Sequence, residues 1–121
     1  MEAIFSEKIA KPVGPFSPAV RSPAVSHVFV SGQIGQSAAT GQLIGGDIEA
    51  QTEQAFVNLG RSFSDVVRTT IYLTNMADFA TMNGIYAKYF KAPFPARTTI
   101  AVAALPLGAR VEIDAIVREA A

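Results

Sequence analysis

The residues that could do chemistry are few, and the most informative is an arginine that follows a proline turn. Arg97 opens the apolar run 100–102 and comes two residues after Pro95. Because a proline fixes its own backbone angle, the arginine enters the strand in a defined direction, and its planar guanidinium suits a carboxylate ligand. The same pattern is typical of a salt bridge to Glu112 or Asp114 on a nearby strand. The spacing alone leaves both interpretations open.

Two carboxylates share one face of the last predicted strand. Apolar residues alternate with Glu112 and Asp114 over residues 111–117, and alternate side chains of a strand point to opposite faces. The pair is typical of a solvated strand surface or of a carboxylate aimed into a cleft between subunits. Asn83 poses a similar choice, because it lies within the apolar stripe of a predicted helix. A buried amide there needs a partner, either a neighbouring loop or a ligand.

Mixed helices and strands must position these residues. The pattern predicts strands at 28–30, 66–73, 98–102 and 110–117. It also predicts one helix capped by Asp47 and stopped by Gly60, and a second capped by Asp78 that ends by Pro93. Ser31 and Gly32 fall at the end of the first strand. The order predicts an α+β sandwich with two helices on one face of the sheet. Since strand 66–73 looks apolar on both sides, we expect a subunit interface on the other face.

Composition narrows the classes of function. The chain has 121 residues, half of them hydrophobic, which predicts a single domain over 1–121. Ten basic residues balance ten acidic ones, so we do not expect a nucleic-acid partner. The absence of a long apolar run predicts no membrane association and a cytoplasmic location. With no cysteine and one histidine, disulfides and thiolate catalysis are excluded, and we expect no metal site.

Six collinear motifs cover nearly the whole chain and resemble the RidA family, also called YjgF and sometimes labelled endoribonuclease L-PSP. They are Gly14-Pro15-Phe16-Ser17-Pro18-Ala19, Val30-Ser31-Gly32-Gln33-Ile34, Asp65-Val66-Val67-Arg68-Thr69-Thr70, Asp78-Phe79 with Asn83 and Tyr86, Phe94-Pro95-Ala96-Arg97-Thr98, and Val111-Glu112-Ile113-Asp114-Ala115-Ile116. The resemblance implies a chorismate-mutase-like α+β fold with a mixed sheet. It also implies a homotrimer with ligand clefts between adjacent subunits.

The resemblance further implies an activity and a set of site residues. Well-known members hydrolyse reactive enamine and imine intermediates to a 2-oxo acid and ammonia, without a metal or organic cofactor. By this resemblance Arg97 grips the substrate carboxylate, Ser31 and Gly32 line the pocket, and Asn83 faces it from the second helix. Asp114 stands where active deaminases carry a glutamate that positions the attacking water.

The chain departs from the family pattern at four places. Phe16 replaces a tyrosine and Thr99 a cysteine at positions that contact substrate in the family, and Asp114 is one methylene shorter than the usual glutamate. The first helix looks truncated after Leu59, which we expect to uncover part of the sheet.

The leading hypothesis is hydrolytic deamination of a small 2-imino acid such as 2-iminopropanoate. Two alternatives are a trimeric carboxylate-binding module without turnover and a deaminase of a different carboxylated substrate. The balanced charge argues against an endoribonuclease.

Overall fold

A four-stranded sheet with two helices packed on one face forms the body of the computed structural model, which describes residues 1–23, 26–60 and 62–119. The strands are β1 (Glu2–Ile4), β2 (Ala19–Arg21), β3 (Ser26–Gln33), β4 (Val66–Leu73), β5 (Ala96–Ala101) and β6 (Val111–Glu119), and the helices are α1 (Ile48–Leu59) and α2 (Phe79–Tyr89). The large sheet has the order β3-β6-β4-β5, with β4 and β5 parallel and the other pairs antiparallel. Strands β1 and β2 pair separately. The predicted α+β class with a mixed sheet is confirmed.

Helix α1 begins and ends through local capping chemistry, as predicted. The Asp47 carboxylate accepts a hydrogen bond from the Ala50 backbone N–H at 3.0 Å, which satisfies one of the free donors of the first turn. Gly60 adopts a left-handed conformation with φ of 66° and donates its N–H to the Val57 carbonyl. A left-handed residue after the last turn favours glycine and stops the helix.

Helix α2 begins where predicted but is not capped as predicted. Asp78 precedes the helix, yet its carboxylate makes no capping bond and instead accepts from Arg110 Nη2 at 2.9 and 3.0 Å. The helix ends at Tyr89, before Pro93. Its apolar face packs on the sheet and on α1, where the Phe56 ring meets Tyr86 and Tyr89 edge-on.

The expected gap after the short first helix is partly closed by an aromatic side chain. Residues Phe63–Asp65 form a 3₁₀ turn, and the Phe63 ring lies 5.1 Å from the rings of both Tyr89 and Phe90. A short turn therefore completes this end of the core, and the motif residues lie elsewhere.

The two faces of the sheet differ in burial. In β4, Thr69, Ile71 and Leu73 are buried beneath the helices, whereas Thr70 and Tyr72 are half-buried on the other face, which we call the outer face. On β4 the outer face therefore carries a threonine and a tyrosine, which are polar or half-polar. No helix of the described residues is long and apolar enough to cross a membrane.

Candidate active site

The predicted site residues fall on opposite faces of the sheet. Arg97 pairs in register with Thr69, which is buried under the helices, whereas Asp114 pairs with the next residue, Thr70, on the outer face. Cross-strand partners share a face and successive residues alternate. Arg97 therefore points to the helix side and Asp114 to the outer side. The alternative of a salt bridge to Glu112 or Asp114 is wrong for this structure, because Arg97 forms no ion pair with any described residue.

Three aromatic rings enclose the Arg97 guanidinium. Its Cζ lies 4.8 Å from the ring centre of Phe16, 5.0 Å from that of Tyr86 and 5.7 Å from that of Phe79. Only 8% of the residue is exposed. Burial lowers the pKa of Arg97, an effect that Tyr86 partly opposes, but an arginine remains charged at neutral pH. The result is a buried cation held by ring faces without a counter-ion among the described residues.

The first motif packs against the strand that carries the arginine. Ser17 donates its backbone N–H to the Pro95 carbonyl at 3.0 Å and its hydroxyl to the Phe94 carbonyl, and it forms a parallel bridge with Ala96. These bonds fix the preceding residue, Phe16, over the guanidinium. Pro95 itself is fully buried. The segment that leads into β5 is therefore held both by the hydrogen bonds from Ser17 and by the packing of Pro95.

Unpaired polar atoms surround the arginine. Within the described part of the chain, Arg97 Nη1, Asn83 Oδ1 and Thr99 Oγ1 are buried and have no hydrogen-bond partner. A Cβ at Gly14 would lie 3.1 Å from both Arg97 Nη2 and Asn83 Nδ2, so the backbone of Gly14 approaches both groups. Buried polar groups normally find partners. A donor on Arg97 beside an acceptor on Asn83 suits a ligand that carries a carboxylate next to an N–H or O–H group.

The remaining predicted residues meet on the outer face. Ser31, Gly32 and Asp114 line a shallow concavity of about 400 Å³, to which Thr70 also contributes. Ser31 and Gly32 were predicted at a strand end, but they lie inside β3, at an irregularity in its pairing with β6 between Val30 and Gln33. Such a bulge redirects local side chains. The structure therefore forms two half-sites, one around Arg97 and one around Asp114.

The Asp114 carboxylate is fixed by its own sheet. Its Oδ1 accepts from the Thr70 backbone N–H at 3.2 Å, and its Oδ2 accepts from the Tyr72 hydroxyl at 3.0 Å. The hydrogen bond to Asp114 is the main cause of the raised pKa of Tyr72. The tyrosine therefore keeps its proton as a donor at neutral pH.

Sequence reasoning missed several residues that shape these half-sites. Phe79 and Tyr86 were predicted only as members of a family motif, although their rings contact Arg97. Their position on the stripe that carries Asn83 was an available signal. Tyr72 shares a face of β4 with Thr70, but its contact with Asp114 depends on strand register. Gly14 gave no signal beyond its motif.

Comparison with known proteins decides the family. A family model described as Endoribonuclease L-PSP matches residues 6–119. The chain belongs to the RidA family. This RidA-family chain is 41% identical to the human protein named 2-iminobutanoate/2-iminopropanoate deaminase, over 93% of the chain and 86% of the human protein.

Solved structures agree with the fold of this RidA-family chain. RidA from an Antarctic Psychrobacter superposes with a TM-score of 0.72 at 36% identity, covering 98% of this chain and 100% of that one. Escherichia coli TdcF, solved with bound serine, gives a TM-score of 0.72 at 29% identity, covering 99% and 100% of the two chains.

Proposed function

We propose that this chain is a hydrolase of reactive enamine and imine intermediates, which converts a 2-imino acid such as 2-iminopropanoate and water to a 2-oxo acid and ammonia. The observation that carries the proposal is the buried Arg97 cation, whose Nη1 has no partner among the described residues and lies in the same cluster as the unpaired Asn83 Oδ1. Relatives named as imine deaminases support the reaction class. The serine bound by TdcF carries both a carboxylate and an amine, which is the combination that the Arg97 half-site suits.

The proposed mechanism needs placement rather than a cofactor. Arg97 binds the substrate carboxylate through charge-assisted bonds, for which its fork is pre-organised. Asn83 accepts a hydrogen bond from the neighbouring N–H group. Asp114 directs a water to the C=N carbon, which is already electrophilic, and assists proton transfer to the nitrogen.

A second copy of the chain is proposed to complete the site. Arg97 and Asp114 lie on opposite faces of one sheet, so a small substrate cannot touch both within one chain. The outer face also exposes apolar side chains, with Phe29 75% and Ile100 41% accessible, which is typical of a surface that a partner covers. A closed homotrimer would bring the Arg97 half-site of one copy to the Asp114 half-site of the next.

The direct test is an imine assay. An amino-acid oxidase generates 2-iminopropanoate, and loss of the imine is followed with and without micromolar protein. We expect acceleration by the wild type and a fall in kcat/KM of about a hundredfold or more in Arg97→Lys, which keeps the charge but loses the fork. Arg118→Lys is the control, because Arg118 pairs with Asp65 away from the cluster. An inactive wild type would overturn the proposed reaction, and a fully active Arg97→Lys would overturn the carboxylate clamp.

A complementation experiment tests the shared site. We expect Arg97→Ala and Asp114→Ala each to lose most of the activity alone, and the two are then co-expressed. In random trimers, about a quarter of the interfaces place an intact Arg97 opposite an intact Asp114, so activity should return to about a quarter of the wild-type value. Mixed trimers without recovered activity would contradict a site built from two copies.

A carboxylate-binding module without turnover is the second candidate. One observation favours it: both oxygens of Asp114 already accept hydrogen bonds within the chain. Calorimetry with a 2-oxo acid separates the two functions, because binding without imine loss selects the module.

A further inference from the structure

Both oxygens of the Asp114 carboxylate are held by neighbours on strand β4, and one of those neighbours is a phenol. The Thr70 N–H and the Tyr72 hydroxyl donate to Oδ1 and Oδ2 at 3.2 and 3.0 Å. Asp114 pairs in register with Thr70, and Tyr72 is two residues further along β4, opposite Glu112. Diagonal neighbours of this kind are within reach of an aromatic side chain. The contact therefore follows from the register of β4 and β6.

The Tyr72 phenol adds a second hydrogen-bond acceptor beside the Asp114 carboxylate. Tyr72 has one hydroxyl proton, and in this geometry that proton is directed at Asp114, which leaves the lone pairs of the phenol oxygen free to accept. Each carboxylate oxygen also retains acceptor capacity. A water that donates one proton to Asp114 and the other to the Tyr72 oxygen would be held at two points, with its own lone pairs directed outward.

We propose that Tyr72 is a positioning residue for the hydrolysis, which holds the Asp114 carboxylate and gives the attacking water its second acceptor. This inference rests on the proposed function. The Tyr72 oxygen would also give the water a hydrogen-bond acceptor beyond the reach of the short Asp114 side chain. The raised pKa of Tyr72, caused first by the bond to Asp114, is consistent with a phenol that remains a donor during turnover.

The proton balance of the step is simple. The water oxygen bonds to the imine carbon while the π pair of C=N moves to nitrogen. The water proton passes to Asp114 and returns to that nitrogen, which gives a neutral carbinolamine. The hydroxyl proton of the carbinolamine then moves to nitrogen as the C–N bond breaks, which releases ammonia and the 2-oxo acid. Tyr72 neither gains nor loses a proton overall.

The test is a matched pair of tyrosine variants. Tyr72→Phe keeps the ring and deletes the hydroxyl, and we expect kcat to fall about tenfold, the effect of losing one hydrogen bond to a charged group. KM should stay within about twofold, since Arg97 and Asn83 bind the substrate. Tyr89→Phe is the control, because the Tyr89 hydroxyl also donates to a carboxylate, that of Glu53, on the helix side. Its kcat should equal that of the wild type.

A double-mutant cycle separates positioning from a general structural effect. If Tyr72 and Asp114 hold the water together, Tyr72→Phe should lower the residual kcat of Asp114→Ala by much less than it lowers the kcat of the wild type. Wild-type kcat in Tyr72→Phe, or equal losses in both backgrounds, would overturn this inference while leaving the deaminase proposal intact. An inactive wild type would overturn both.

Discussion

Replacing Arg97 by methionine should make the unliganded protein more stable while abolishing ligand binding. Arg97 is 8% exposed as a residue, and its guanidinium has no counter-ion among the described residues. Moving a charge out of water costs several kcal/mol even after relaxation. Against that cost stand three ring contacts with Phe16, Phe79 and Tyr86, each worth from about 0.5 kcal/mol at an exposed site to about 2 kcal/mol when desolvated. Methionine fills irregular apolar space and carries no charge.

The expected gain is on the order of 1–2 kcal/mol in the free energy of unfolding. For a chain of this length that corresponds to a rise of roughly 5 °C in Tm. Urea denaturation and thermal melting, both at one fixed protein concentration and without ligand, measure the change. Adding a 2-oxo acid should raise the Tm of the wild type and leave that of Arg97→Met unchanged.

Arg110→Met is the matched control, with the opposite sign expected. Arg110 forms an ion pair with Asp78 at 2.9 Å, and that aspartate is 8% exposed. Removing the arginine leaves a buried carboxylate unpaired, which should destabilise the fold by about 1–3 kcal/mol. A loss of stability in Arg97→Met similar to that in Arg110→Met would refute the argument, because it would show that the Arg97 cation stabilises the fold.

Further predictions concern the fold around the site. Gly35→Ala should lower the free energy of unfolding by about 1–3 kcal/mol in urea melts, because its Cβ would lie 2.9 Å from backbone atoms of Gln51; Gly45→Ala, with nothing within 4 Å of its Cβ, should be near neutral. Burial raises the pKa of Tyr86 from 10.0 to about 12, so of the three tyrosines it should ionise last in an absorbance titration, and Tyr86→Phe should remove that step. Because the pKa is raised in the folded state, about 3 kcal/mol of stability present below pH 10 should be lost as pH rises through about 12; a pH-independent unfolding free energy over that range would contradict this.

Local chemistry made the helix ends predictable. Asp47 and Gly60 act on backbone groups within a few residues of themselves, so sequence alone identifies them as caps. Asp78 shows the limit of the same argument. It lies at the start of α2, but a tertiary ion pair with Arg110 takes its carboxylate away from the helix.

The faces of the sheet could not be predicted from local pattern. Whether Arg97 and Asp114 share a face depends on how β5 and β6 pair with β4, and a one-residue change of register moves every side chain to the other face. Those pairings join residues far apart in sequence. Phe16 over Arg97 is a similar case, because 80 residues separate a loop from the strand it packs against.

The two half-sites should affect different kinetic constants, whichever residue within each is substituted. The Arg97 half-site is buried and holds unpaired donors and acceptors, so changes there should act mainly on binding and appear in KM. The Asp114 half-site is half-buried and already oriented by Thr70 and Tyr72, so changes there should act on the attack of water and appear in kcat. If the two faces come from different copies, consider a mixed trimer in which one chain is substituted at both Arg97 and Asp114. The KM effect would then fall on one site of that trimer and the kcat effect on another. Dilution that dissociates the proposed trimer should then abolish turnover, because each half-site would lack the other.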